Sequence, residues 1–223
     1  MQPWLPYLLH LSDPTLPVGA YTHSNGLETC VQQGLIKNAA DAGVYIRNML
    51  EHNMPYNDAL FVCLAYKATE AADVEALLLI DEECTALKAP QELRQASRKL
   101  GVRLLKVLSP LIKHTIADAY MQKADGHYCI AFGLYACLSG IPLQEALTAF
   151  YYNAATGMVT NSVKLVPLGQ QQGQQILYSL LPLLPQLAER TQSIPRHLAG
   201  RCSVAFDIRS MQHQRLYSRL YMS

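Results

Sequence analysis

Charge is what this sequence has least of. Lysine and arginine number 18 and aspartate and glutamate 17, so 16% of positions are charged and the formal net charge is +1; an ordinary soluble domain carries roughly 25%. A nucleic-acid-binding face needs clustered lysine and arginine to neutralise phosphates, and no such cluster exists here. Apolar runs are short as well, and none reaches the length of a membrane span. The opening residues, MQPWLPYLLHLSDP, have neither a basic leader nor a small-residue cleavage site, so no signal peptide is read and a cytoplasmic location is expected.

Paired cysteines are missing too. Cys30, Cys63, Cys84, Cys129, Cys137 and Cys202 stand singly, most of them on apolar stripes, and no CxxC occurs. This excludes a zinc knuckle or a local redox pair and reads as reduced thiols acting as small hydrophobes. No lysine follows a glycine, so a P-loop in its usual form is excluded. The signatures G-x-G-x-x-G, HExxH and G-x-S-x-G are absent. The seven histidines are scattered, with no His or Cys partner three or four positions on. His213 and Cys202 remain weak candidates for a metal site assembled across a subunit interface, against a packing histidine and a buried thiol.

Half of the residues are hydrophobic, and with so little charge the chain either has a large core or hides surface against partners; the second reading is preferred. The apolar positions repeat with helical spacing and never alternate with period two. Leu27, Cys30, Val31 and Leu35 mark one stripe. Asp41 is expected to cap a helix carrying Ile46, Met49 and Leu50, Asn57 the next, and Asp73 a third that ends near Leu87. Pro90 and Glu92 suit the first turn of the clearest helix, whose Leu93, Ala96, Leu100, Leu104 and Leu108 share a face before Pro110 interrupts it. A shorter helix to Lys123, a turn at ADGH, an apolar helix stopped by Gly140 and a long segment opened by Pro142 follow, with Gly157 as an expected point of close approach. The fold class is all-α: a single globular, bundle-like domain over residues 1–223, with roughly eight to ten helices of ordinary length.

Two stretches read as surfaces for other proteins. From Leu165 to Ala188 no residue is charged, and Gln170, Gln171, Gln172, Gln174 and Gln175 can hydrogen-bond without the desolvation cost of a charge; plain solvent-facing glutamines are the alternative. The end of the chain carries Arg201, Arg209, Arg215 and Arg219 against one acid, Asp207. Leu216 with Leu220, and Tyr217 with Tyr221, have helical spacing, and arginine and tyrosine dominate interface hot spots. Residues 201–223 are expected to be a flexible docking tail that orders on a partner, or else a last helix docked on its own core. The segment LPVGAYTHSNGLE, Leu16 to Glu28, offers glycine near a helix start but no nearby cation, so an anion site there is weak. It reads as a helix entrance capped by Ser24 or Asn25, with Glu28 as a capping-box acid and Tyr21 and His23 at the surface.

Four segments carry a family likeness. LPVGAYTHSNGLE resembles the N-terminal signature of the urease accessory protein UreF family, with Ala20 where the family usually has glycine. ELRQASRKLG (Glu92 to Gly101), SVKLVPLGQQQGQ (Ser162 to Gln174) and SMQHQRLYSRLYMS at the end are similar to three further family segments, in order and at matching spacing. In the last of these Gln214 stands for glutamate, Tyr221 for phenylalanine and Met222 for arginine. The resemblance implies an all-α protein that is not an enzyme, has no cofactor of its own and forms homodimers. It implies binding to the UreD (UreH) scaffold and recruitment of the GTPase UreG, so that nickel reaches the urease apoprotein. The residues expected to meet partners are Tyr21, His23, Arg94, Arg98, Gln170, Gln171, Gln174, Arg209, His213, Arg215, Tyr217, Arg219, Leu220 and Tyr221. An alternative role is regulation of UreG GTP hydrolysis, with Arg94 or Arg98 supplied in trans. An autonomous hydrolase using His23 or His213 is the weakest reading.

Overall fold

The computed structural model describes residues 2–19, 23–24 and 26–221. All of their regular structure is helical: α1 (Leu5–Leu11), α2 (Leu27–Gln32), α3 (Ala39–Asn48), α4 (Leu60–Glu70), α5 (Val74–Leu87), α6 (Gln91–Leu108), α7 (Thr115–Lys123), α8 (Tyr128–Leu138), α9 (Leu143–Leu165), α10 (Gln170–Leu180), α11 (Leu184–Gln192) and α12 (Val204–His213). Helices α3 and α4 are one continuous rod, as are α10 and α11, so the described residues form ten rods and the all-α expectation holds.

The α3–α4 rod corrects two cap assignments. Asn38, not Asp41, is the N-cap: its side chain accepts the Asp41 N–H at 3.0 Å, while the Asp41 carboxylate accepts the Lys37 N–H at 2.9 Å. Asn57 caps nothing. Pro55 removes an N–H and crowds the preceding turn, and the rod responds by widening into π-helical turns at Met49–Asn53 and Pro55–Ala59 rather than by stopping. Asn57 instead donates to the carbonyls of Asn53 and Arg201, each at 3.1 Å. Asp73 does cap α5, accepting the Ala76 N–H at 2.9 Å.

Helix α8 is the centre of the core, with Cys129 to Ala136 fully buried. It lies against α4 and α6. Gly133 permits the first contact: a Cβ there would come within 2.5 Å of the Val62 carbonyl oxygen. Tyr128, Phe132 and Phe150 pack as an aromatic cluster, the last two edge to face with centroids 5.2 Å apart. The turn before α8 is organised by Asp81, a buried carboxylate of α5. It accepts the Tyr120 hydroxyl at 2.6 Å, the Asp125 N–H at 2.9 Å and the His127 N–H at 3.0 Å, which meets the requirement that a buried charge be hydrogen-bonded. Gly101 of α6 sits against this turn so closely that a Cβ would overlap the Gly126 carbonyl oxygen. The close approach expected at Gly157 is absent; nothing lies within 4 Å of a Cβ built there.

Helix α9 runs along the core, flanked by α10 and α11, and α12 lies on α2 and α6. A second, smaller cluster of Leu27, Cys30, Ile36, Ala42, Val166 and Leu168 joins α2 and α3 to the end of α9. Leu35, assigned to the buried stripe of α2, is exposed, and Ile36 takes its place in this cluster.

A candidate docking surface at the C-terminal segment

Helix α2 begins at Gly26, whose φ of 82° lies in the left-handed region that glycine tolerates, and no side chain caps it. Asn25 and Tyr21 lie outside the described residues. Glu28 is therefore no capping-box acid. Its carboxylate is buried and turned toward the far end of the chain. It accepts the backbone N–H of Leu220 at 2.7 Å and of Tyr221 at 3.2 Å, and it faces His213 Nε2 at 3.1 Å. The other ring nitrogen of His213, Nδ1, lies 2.7 Å from the Glu92 carboxylate at the start of α6. Arg219 donates to the second Glu92 oxygen at 3.1 Å. The fully buried His213 ring thus lies between the Glu28 and Glu92 carboxyl groups, one ring nitrogen toward each. Together with Arg219 these side chains form a network that ties α2, α6, α12 and the last residues together.

Around this anchor the tail departs from its expected form. Helix α12 ends at His213, and residues 216–221 are irregular rather than helical. Successive residues thus serve opposite purposes. Tyr221 is buried, while Tyr217 and Leu220 project into solvent, Tyr217 completely. Arg215 is exposed; Arg209 folds back and donates to the Ala205 carbonyl at 3.0 Å. Two glutamines of α2 hold the segment from below, Gln32 donating to the Ser218 carbonyl at 3.0 Å and Gln33 to the Gln212 side chain at 2.9 Å. Val204, Ile208 and Met211, spaced to share one side of α12, are exposed.

His23, expected at the surface, is buried. Burial first, then the nearby Lys99 and Arg103 cations, pull its pKa down to about 4, so it is neutral near pH 7. Its carbonyl accepts the Asn161 side-chain N–H at 2.7 Å, which fastens the opening loop to α9. His23 also borders a cavity of about 270 Å³ walled by apolar residues such as Met49, Leu93, Phe150, Met158 and Phe206.

The remaining residues singled out from sequence fall in separate places. Gln170, Gln171 and Gln174 are exposed on α10, alongside exposed Tyr178 and Leu181, so this uncharged stretch is a surface. Arg94 donates to the Lys88 carbonyl at 3.0 Å, and Arg98 is paired with Asp125 and Thr85; both guanidinium groups are engaged within the chain. Cys202 is exposed rather than buried, and its thiol donates to Asp207 at 3.1 Å. With both nitrogens of His213 held by carboxylates, the two residues do not form a common site, and the described residues contain no group of three or more His, Cys, Asp or Glu side chains arranged to hold a metal ion. Among the described residues no helix is long and apolar enough to cross a membrane. Glu92 does stand in the first turn of α6, as expected, but the role of Glu92 and Glu28 in holding His213 is what sequence reasoning missed. Each looked like a helix-start acid, and nothing local in the sequence signals a partner in the last turn of α12.

This geometry defines an all-α protein with a charge-poor helical face and a C-terminal segment held on its body by a buried ion network. Comparison with known proteins gives that class its family. A family model described as UreF matches residues 36–181. The urease accessory protein UreF of Actinobacillus pleuropneumoniae is 45% identical over 221 residues, 97% of each chain. That of Haemophilus influenzae strain PittEE is 43% identical over 97% of this chain and 94% of its own, and that of Arthrobacter sp. strain FB24 is 34% identical over 97% and 96%. The chain belongs to the UreF family of urease accessory proteins.

Proposed function

We propose that this chain is a non-catalytic adaptor of urease maturation, working in the cytoplasm as a homodimer without a cofactor of its own. In this reading it binds the UreD (UreH) scaffold through the C-terminal segment, and the joint complex recruits the GTPase UreG for delivery of nickel, the cargo, to the urease apoprotein. One observation carries the proposal. A buried, fully satisfied ion network holds the last residues in place, yet the same residues expose Tyr217 and Leu220 beside the apolar side of α12. Apolar side chains kept in water by a rigid anchor are what a protein partner can bury. The uncharged face of α10 supplies a second surface of that kind, suited to a second copy of the chain.

Regulation of UreG GTP hydrolysis by an arginine supplied in trans has less support, because Arg94 and Arg98 are bonded within the chain. Co-purification with UreD and UreG, with mass measured by light scattering, tests the adaptor reading. The expected result is a dimer near twice 24.8 kDa alone and a larger complex with both partners. A lone chain that retains neither partner contradicts it.

A further inference from the structure

Composition alone makes Cys84 and Cys129 apolar filler. The structure places their sulfur atoms 3.8 Å apart across the contact between α5 and α8, both fully buried and 45 residues apart in the chain. Neither belongs to the docking surface. Among the described residues no other two cysteines are paired in this way.

The surroundings of the pair are polar for a core. Lys88, one turn beyond Cys84, is almost wholly buried; it donates to Asp58 at 2.7 Å and to the Asn57 carbonyl at 3.1 Å. Burial opposes that charge, but Asp58 and the two sulfurs outweigh it and hold the ammonium well above its ordinary range. Burial likewise pushes the Cys84 thiol up. The S–H of Cys129, the Lys88 cation and the His127 imidazole outweigh this and bring it to about 6, while Cys129 is driven well above its usual value. The two sulfurs are thus shifted in opposite directions, the asymmetry that a nucleophile and a resolving partner require. Burial raises Cys30, Cys63 and Cys137, and the Arg209 cation near Cys30 and the Lys67 ammonium beside Cys63 offset it only in part. A cavity lies nearby: Leu87 and Lys88, close to Cys84 in the chain, line it, and so does Ser97, which is hydrogen-bonded to His127.

We propose that Cys84 and Cys129 form a peroxide-reactive dithiol that closes to a disulfide between α5 and α8. The Cys84 thiolate attacks one oxygen of hydrogen peroxide and the O–O bond breaks. Cys84 becomes a sulfenic acid, and the departing hydroxide takes up a proton to become water. The Cys129 sulfur then attacks Cys84, the S–O bond breaks, and hydroxide leaves with the Cys129 proton as a second water. Two thiols lose two electrons and two protons, and one peroxide is reduced to two waters. The sulfurs must close from 3.8 Å to about 2.04 Å. The bridge would sit one turn from Leu87, against which Gly200 of the segment leading into α12 is packed.

The test uses the full chain with exposed Cys202 replaced, Cys202→Ser. It is treated with a small molar excess of hydrogen peroxide, denatured, alkylated with iodoacetamide and digested with trypsin. The expected result is a mass loss of two hydrogens, loss of two titratable thiols, and a linked pair joining the peptide that ends at Lys88 to the one containing Cys129, reversed by dithiothreitol. Cys129→Ser should stop at a Cys84 sulfenic acid that dimedone traps, without a bridge. The proposal is overturned if every thiol survives in the peroxide-treated Cys202→Ser protein, a result that depends on no core variant folding. A bridge that persists in Cys129→Ser, or that Cys137→Ser abolishes, overturns it equally.

Discussion

His213 and Glu28 stand 185 residues apart in the chain and meet at 3.1 Å in the interior, with Glu92 completing the contact on the other side of the imidazole ring at 2.7 Å. In a chain with so few charged side chains, Glu28, Glu92 and Arg219 all meet at this one junction. It joins the first turn of α2 and the first turn of α6 to the last turn of α12, and it presents the Glu28 carboxylate to two consecutive backbone N–H groups of the tail.

Removing the imidazole from this junction leaves the Glu28 and Glu92 carboxyl groups without the partner that lies between them. His213→Ala is expected to destabilise the fold by about 3–5 kcal/mol, read from the midpoint of urea denaturation, and to speed tryptic cleavage after Arg215 and Arg219. Arg219→Ala touches a partly exposed member of the same network and should cost no more than about 1 kcal/mol. Equal losses for the two variants would contradict the assignment of His213 as the keystone.

The depressed pKa of His23 fixes a direction for the pH dependence of stability. The folded state resists protonation until about pH 4, whereas the unfolded chain takes up the proton near 6.5. The unfolded state therefore binds more protons between these values, and stability falls as pH is lowered through that window. Denaturation midpoints of wild type and His23→Gln, compared from pH 7 to pH 4, should diverge at neutral pH and converge on acidification. A constant difference contradicts a neutral, buried His23.

Two helical glycines should behave oppositely on substitution. Gly101→Ala drives a methyl group into the backbone carbonyl of Gly126, an overlap that flexible side chains cannot relieve, and should cost about 1–3 kcal/mol or more. Gly157→Ala meets open space within a helix and should stabilise by about 0.5–1 kcal/mol. Thermal melts of the two variants check the sign of each.

The α10 face predicts a separation of binding from stability. Gln171→Glu with Gln174→Lys alters only exposed side chains, so the unfolding free energy should stay within about 0.5 kcal/mol. If a second copy packs on this face, the same pair of changes should lower the dimer fraction in light scattering. An unchanged mass would move the subunit contact elsewhere.

What could be read in the sequence was what depends on neighbours along the chain. Helical periodicity, the cap at Asp73, the break after Leu108 and the uncharged surface of α10 all follow from residues within a turn or two of each other. The failures share a different cause. Asn57 reads as the cap of a new helix, but the rod stays continuous through π-helical turns around Pro55. Leu216, Tyr217, Leu220 and Tyr221 carry helical spacing, but the Glu28 carboxylate captures the tail's backbone N–H groups and irregular structure results. Glu28, Glu92, Asp81 and the Cys84–Cys129 contact all depend on partners remote in the chain, for which a single sequence has no signal.

The central claim is that the C-terminal segment docks a partner while the helical body carries the fold. A pull-down of UreD by the chain lacking residues 214–223, beside the intact protein, tests it most directly. The account predicts that UreD is lost from the truncated protein while circular dichroism retains most of the helix content. Undiminished capture of UreD by the truncated chain would contradict it.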